Sequence, residues 1–204
     1  MSFVSRRLFA AFAVLLASAS IALPQTPAAP TAVPSPQPPA PTDAASMDAI
    51  VKALYDGVSH LPGKEADWSH LRTIFLPGGR LTPPKRPGGE FVFLSAEEFI
   101  DRVSKGIASR NAAGGGGDKG FVEREISRRT DCFGNVCQLF STYAARYTAT
   151  DEKPFVRGIN SIQLVKDGSR WWVASVVWDS ERPDNPIPPQ YDAGAGVPDE
   201  YKKK

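Results

Sequence analysis

GFVEREISRRTDCF, GN, VCQLFSTYAARYT: residues 120–148 are two runs of alternating side chains meeting at Gly134-Asn135. A two-residue turn there makes a tight hairpin, and its position sets every cross-strand pair further out. Phe133 then pairs with Val136 and Cys132 faces Cys137. Beyond them Thr130 faces Leu139, Arg128 faces Ser141, Ile126 faces Tyr143, and Glu123 faces Arg146 as a cross-strand ion pair. A second hairpin reads from Phe155 to Glu181, turning at Asp167-Gly168, with Trp171, Trp172 and Trp178 on its return strand. Those tryptophans suit a core or a dimer interface better than stacking on a base or sugar.

Upstream of Gly120 the apolar period is helical instead. Asp43 or Ser46 can cap a first helix carrying Met47, Ile50, Val51, Leu54 and Val58 on one stripe, ended by Leu61-Pro62-Gly63. Asp67 caps a second, with Trp68, Leu71, Ile74 and Phe75 inward. Pro77-Gly78-Gly79 stops it, and Arg80-Leu81-Thr82 reads as a short strand. Phe91-Val92-Phe93-Leu94 reads as another. Ser95 and Glu98 form a capping-box pattern opening a third helix through Phe99, Val103 and Ile107 to about Arg110. Gly114 to Gly117 reads as a connector, or as a mobile lid. The stretch 183–204, rich in Pro, Gly and charge, is expected to be irregular, with Lys202-Lys203-Lys204 a solvated tail.

The cysteines follow from the hairpin. The pair flanking a two-residue turn is hydrogen-bonded, so the next pair out is the other kind, with Cα atoms about 4.5 Å apart. That spacing accepts a disulfide, and a Cys132–Cys137 bridge is expected. A catalytic thiol needs a histidine beside it, whereas His60 and His70 both lie in the helical half.

Address and composition narrow the function. Arg6 and Arg7 precede an apolar run from Leu8 to Ala22 with small residues at Ala17-Ser18-Ala19 and Ser20-Ile21-Ala22, the pattern of a signal peptide cleaved near Ala19 or Ala22. The run is short for a bilayer span, so an exported, periplasmic or secreted protein with no membrane span after cleavage is expected. Residues 23–44 then read as a disordered linker, eight prolines falling between Pro24 and Thr42. The folded domain is expected over 45–182. The chain holds 24 basic and 22 acidic residues, and the signal takes two basic ones with it, leaving 22 of each. A neutral domain lacks the cationic surplus that nucleic acid requires. No cofactor motif is present, and the two histidines have no carboxylate at metal spacing.

Two helices, a short strand pair, a third helix and two long hairpins resemble the nuclear-transport-factor-2-like, or SnoaL-like, family. The local resemblance runs through Asp67-Trp68-Ser69-His70-Leu71-Arg72 and Arg80-Leu81, then Phe133-Gly134-Asn135-Val136 with Phe140-Ser141-Thr142-Tyr143. It ends in Asn160-Ser161-Ile162-Gln163-Leu164, Asp167-Gly168, Arg170-Trp171-Trp172 and Trp178. The resemblance implies an α+β fold in the order α-α-β-β-α-β-β-β-β, a curved, cone-shaped sheet wrapped around three helices. The family includes isomerases, cyclases and epoxide hydrolases as well as non-catalytic binders, so it does not settle the activity.

The register puts Arg128, Ser141, Tyr143 and Ile126 on one face with Val122 and Leu139. Asn160 joins from the next strand and Tyr55 from the first helix, making a candidate ligand-binding set of Tyr55, Arg128, Ser141, Tyr143 and Asn160. Each has a plainer reading too: an ion-paired arginine, a packed tyrosine, a backbone-bonded asparagine. The same register turns Glu123 and Glu125 to the opposite face, so the set lacks an acid or base and no catalytic residue is assigned. A non-catalytic domain binding a small apolar ligand or a protein partner, and pairing as a homodimer through the open sheet face, is the first expectation. An isomerase, cyclase or hydrolase using Tyr143, Arg128 and Asp179 or Asp67 is the second. A carboxylate or histidine inside the cone without an arginine partner separates them, because it favours the enzyme.

Overall fold

Ser46 sits in extended backbone and its hydroxyl accepts the Ala49 N–H at 3.0 Å. Helix α1, Met47–Val58, starts there and buries Ile50, Val51, Leu54 and Tyr55. The computed structural model describes residues 42–85, 87–113 and 117–192. The expected signal peptide, nearly all of the linker, Gly114 to Gly116 and the lysine tail lie outside them.

Asp67 Oδ1 accepts the Ser69 N–H at 3.1 Å just ahead of α2, Ser69–Ile74, whose N-cap position falls on Trp68 rather than on the expected Asp67. Contrary to expectation, Pro77-Gly78-Gly79 does not end this helix. The backbone becomes extended at Phe75, and strand β1, Phe75–Thr82, contains all three residues across a register shift between Phe75 and Arg80. An edge strand tolerates this: a missing Pro77 N–H and a left-handed Gly78 (φ 86°) cost little where one side of the strand has no partner. The expected strand at Phe91–Leu94 is absent as well. Only Leu94 pairs, in a single bridge to Leu81, while Phe91 and Phe93 are exposed. The prolines and glycines before it leave the chain no length of β1 to follow. Helix α3, Ala96–Ala112, has its capping box complete, each of Ser95 and Glu98 accepting the other's backbone N–H.

Strands β2 (Val122–Phe133), β3 (Val136–Arg146), β4 (Val156–Asp167) and β5 (Arg170–Ser180) form an antiparallel meander. Strand β1 joins it parallel to β5, giving the sheet order β1-β5-β4-β3-β2. The helices pack on the inner face, where Leu139, Ile162, Leu164, Val173 and Val176 meet Ile50, Leu54, Leu71 and Ile74. This is the α+β arrangement of a curved sheet on three helices that the resemblance implies, less one strand.

Gly134-Asn135 is the first bend, as read, and pairing from Phe133↔Val136 through Arg128↔Ser141 matches. Cys132 and Cys137 are joined by a disulfide with Cα atoms 4.2 Å apart. The second bend falls one residue later than expected. Asp167 pairs with Arg170, so the loop is Gly168-Ser169, with Gly168 at φ 56° just as Gly134 is at φ 57°. Both bends put glycine first, where a left-handed residue is required.

The larger departure is a β-bulge. Register shifts between Glu125 and Ser127, leaving Ile126 unpaired, so Glu125 rather than Ile126 faces Tyr143. Glu123 then faces Ala145, and Val122 takes Arg146. One extra residue reverses the facing of everything beyond it.

The C-terminal stretch is not wholly irregular. Pro189–Asp192 forms a short helix, α4, and Tyr191 lies over the outer sheet face, stacked on Phe140 at 5.3 Å. Its carbonyl accepts from Thr142 Oγ1 at 2.6 Å and from Ser127 Oγ. Both hydroxyl residues are buried beneath it.

Candidate functional site

The bulge at Ile126 brings Glu123 and Glu125 to the inner face, under α1. This corrects the expected facing, in which both pointed away. Glu123 is 9% exposed and Glu125 2%. They stand at the two ends of one hydrogen-bond chain. Asn160 Nδ2 donates to Glu123 Oε1 at 3.1 Å and to the Tyr55 hydroxyl at 3.2 Å. Tyr55 lies 2.6 Å from Ser141 Oγ, which donates to Glu125 Oε1. Since Tyr55 accepts from an amide and Ser141 gives its proton to a carboxylate, the Tyr55 hydroxyl donates to Ser141. Every donor in the chain points toward one carboxyl or the other.

The two carboxyls differ in their cations. Arg128 Nε lies 3.5 Å from Glu125, and Arg128 also donates to Asp48 on α1. Arg128 is thus the ion-paired residue of its plainer reading. Glu123 has no arginine or lysine paired to its carboxyl among the described residues, because Arg124 turns to Asp56 at 3.4 Å. Burial pushes the Glu123 carboxyl up to about 7, the Asn160 hydrogen bond and more distant Arg124 opposing it. Burial raises Glu125 as well, against Arg128 and Ser141. Tyr55 is held well above its usual range, first by burial and then by the two glutamates.

Of the five residues read as a ligand set, Tyr55, Ser141 and Asn160 meet at this chain, and Arg128 is linked through Glu125. Tyr143 stands apart. Its ring lies against Gly158, its hydroxyl is 3.1 Å from Ser180 Oγ, and burial pushes it up to about 12. Asp179 and Asp67 are not in the interior: Asp179 holds Arg182 at 2.9 Å, and exposed Asp67 accepts from Ser69 ahead of α2. Glu123 and Glu125 are the residues that sequence reading misses.

A cavity of about 120 Å³ opens beside Glu123 and Asn160, walled by Leu54, Val58, Leu81, Phe99, Phe121 and Trp178. Val58, Phe99 and Phe121 also wall a larger outer chamber of about 470 Å³, which reaches His60, Arg110, Asp118, Lys119, Tyr147 and Phe155. Among the described residues no group of three or more His, Cys, Asp or Glu could hold a metal ion. No helix among them is long and apolar enough to cross a membrane.

No protein-family model matches the chain, and no curated protein matches it in sequence. Among solved structures it is similar to an NTF2-like protein of unknown function from Shewanella baltica OS155, at 16% identity, 65% of this chain, 91% of that one and a TM-score of 0.43. It is similar likewise to an NTF-2 like protein of unknown function from Silicibacter pomeroyi DSS-3, at 16% identity, with 65% and 91% covered and a TM-score of 0.41. A CaMKII hub from S. rosetta matches at 18% identity over 65% of this chain and 89% of that one, with a TM-score of 0.41.

Proposed function

We propose that the inner chamber holds a small, largely apolar molecule whose one polar atom meets the Glu123 carboxyl. The observation behind this reading is a buried carboxyl, with no paired cation among the described residues, in a cavity whose other walls are mostly hydrocarbon. Near neutral pH such a group is part acid and part carboxylate. It can donate to a carbonyl or accept from a hydroxyl, and a permanently charged side chain offers only one of these.

The same carboxyl meets the condition that separates the two readings, an interior carboxylate with no arginine partner among the described residues, and so favours equally a small-molecule enzyme of isomerase, cyclase or hydrolase type. A carboxyl poised near 7 suits proton transfer at physiological pH. Glu123 would take a proton from the bound molecule and return it to a neighbouring atom, with Asn160 and Tyr55 holding the carboxyl still.

One set of experiments tests both. Small ketones, phenols and alcohols are offered to wild type, Glu123→Gln and Glu123→Leu, with binding read by ligand-observed NMR. Binding that survives in Gln and is lost in Leu supports the chamber. Deuterium entering a bound ketone from D2O in wild type but not in Gln supports the enzyme. Equal binding by all three proteins contradicts the chamber reading, and exchange that is absent in wild type or unchanged in Glu123→Gln contradicts the enzyme.

We also infer that residues 1–22 direct export and that 23–41 tether the domain, since Thr42–Ala44 of the expected linker form a 3-10 turn with Ala44 buried in the fold. The disulfide supports an oxidising compartment. A homodimer through the outer sheet face would have to accommodate the C-terminal stretch, which lines Ile159 and Val177 through Asn185–Pro188 and lies over Phe140 through Tyr191.

A further inference from the structure

Among the described residues the outer chamber contains one carboxylate, Asp118, and two cations, Arg110 and Lys119, and its carboxylate is fully engaged. Asp118 Oδ1 accepts from Arg110 Nη2 at 2.9 Å and from Arg110 Nε at 3.2 Å. Its Oδ2 takes the Gly120 N–H at 3.1 Å and lies 2.8 Å from His60 Nε2. Burial opposes charge on Asp118, but Arg110, Gly120 and His60 outweigh it and hold the carboxyl below its ordinary range. The acid therefore serves as a clamp joining the end of α1, the end of α3 and the approach to β2.

The cations are not used up in the same way. Lys119 has no carboxylate partner among the described residues; its Nζ stands 5.4 Å over the Tyr147 ring. Arg110 spends Nε and Nη2 on Asp118, is half exposed, and makes no hydrogen bond from Nη1 among the described residues. Around them the walls are aromatic, Tyr147 stacking on Phe155 at 4.3 Å. Saturated acceptors, unspent cationic donors and aromatic walls describe a place for an anion attached to an apolar body.

We propose that this chamber receives the carboxylate of an amphipathic organic acid at Arg110 and Lys119, with its apolar body running inward along Val58, Phe99 and Phe121 to Glu123. The inference rests on the small-molecule reading of the inner chamber and adds the charge and polarity of the ligand. At the inner end the molecule carries a hydroxyl or carbonyl for Glu123 and Asn160. The anion sits at the rim, where Arg110 is solvated and dehydration costs least.

The test uses 3-(4-hydroxyphenyl)propanoate and its uncharged amide, titrated into the whole protein and followed by tryptophan fluorescence and calorimetry. The acid is expected to bind about tenfold more tightly than the amide, an advantage that shrinks in high salt. In Lys119→Gln/Arg110→Gln the two probes should bind alike, while amide affinity stays near that of wild type. Because loss of Arg110 loosens Asp118, Lys119→Gln alone is measured too and should remove part of the preference. An amide that binds as well as the acid, or a preference that survives the double substitution, overturns the anion site and leaves the inner chamber standing. If neither probe binds, the chamber reading itself fails and this inference falls with it.

Discussion

Glu123 is the residue on which chemistry and stability meet. Its carboxyl holds a proton to about pH 7 in the folded protein, whereas an ordinary glutamate releases it near 4.5. Between those values the folded state binds more protons than the unfolded one, so stability falls as pH rises through the window and levels off above it. The fall amounts to about 3 kcal/mol, and Glu125, also raised, adds to it in the same direction. Urea midpoints across that range should show this decline in wild type and a flatter profile in Glu123→Gln. Tyr55→Phe removes the hydroxyl between Asn160 and Ser141. It is expected to cost about 1–2 kcal/mol in the same assay. Tyr55, Ser141 and Asn160 were legible in the sequence because helical and strand phase point them inward. The glutamates were not. Straight register would bring Arg124 inside in their place, and two charged alternatives give the hydrophobic pattern nothing by which to choose.

Among the elements, the tight turns were readable and the irregularities were not. Gly134-Asn135 set the cysteine pairing because a two-residue bend leaves no freedom of register. Replacing both cysteines by serine should cost about 2 kcal/mol on the loop-closure estimate, read as a lowered denaturant midpoint, with Phe133↔Val136 still paired by NMR. The bulge at Ile126 has no glycine or proline to announce it, so alternation carried straight past it. Its effect is confined to one end of β2, which is why the near-turn pairs survive and the far ones do not. Strand Phe91–Leu94 failed for a different reason: four apolar residues satisfy a propensity, but a strand also needs a neighbour, and β1 offers only Leu81. Strand β4 makes its own demand at Gly158. A Cβ there would lie 2.5 Å from the Tyr143 hydroxyl and 2.2 Å from the Asp179 carbonyl oxygen. Gly158→Ala is expected to lose about 1–3 kcal/mol by overpacking, measured by thermal unfolding.

At the scale of the whole molecule, a curved sheet encloses a polar chain beneath its helices and carries its own C-terminal cover outside. Truncation after Arg182 removes Tyr191 from Phe140, Ser127 and Thr142. Light scattering should then show increased self-association, because Phe140, Ile159 and Val177 are uncovered together as one apolar surface. The architecture was legible from period and element order. The cover was not, since a Pro-rich tail with one tyrosine has no pattern that tells where it will lie. A carboxyl buried beneath the sheet with no cation paired to it among the described residues underlies both the chamber and the pH dependence, and carbon-13 NMR of the Glu123 side-chain carboxyl, followed against pH, measures it directly. A midpoint near 7 is the predicted result. A midpoint near the ordinary 4.5 would place Glu123 in water, and the bulge would not have turned it inward.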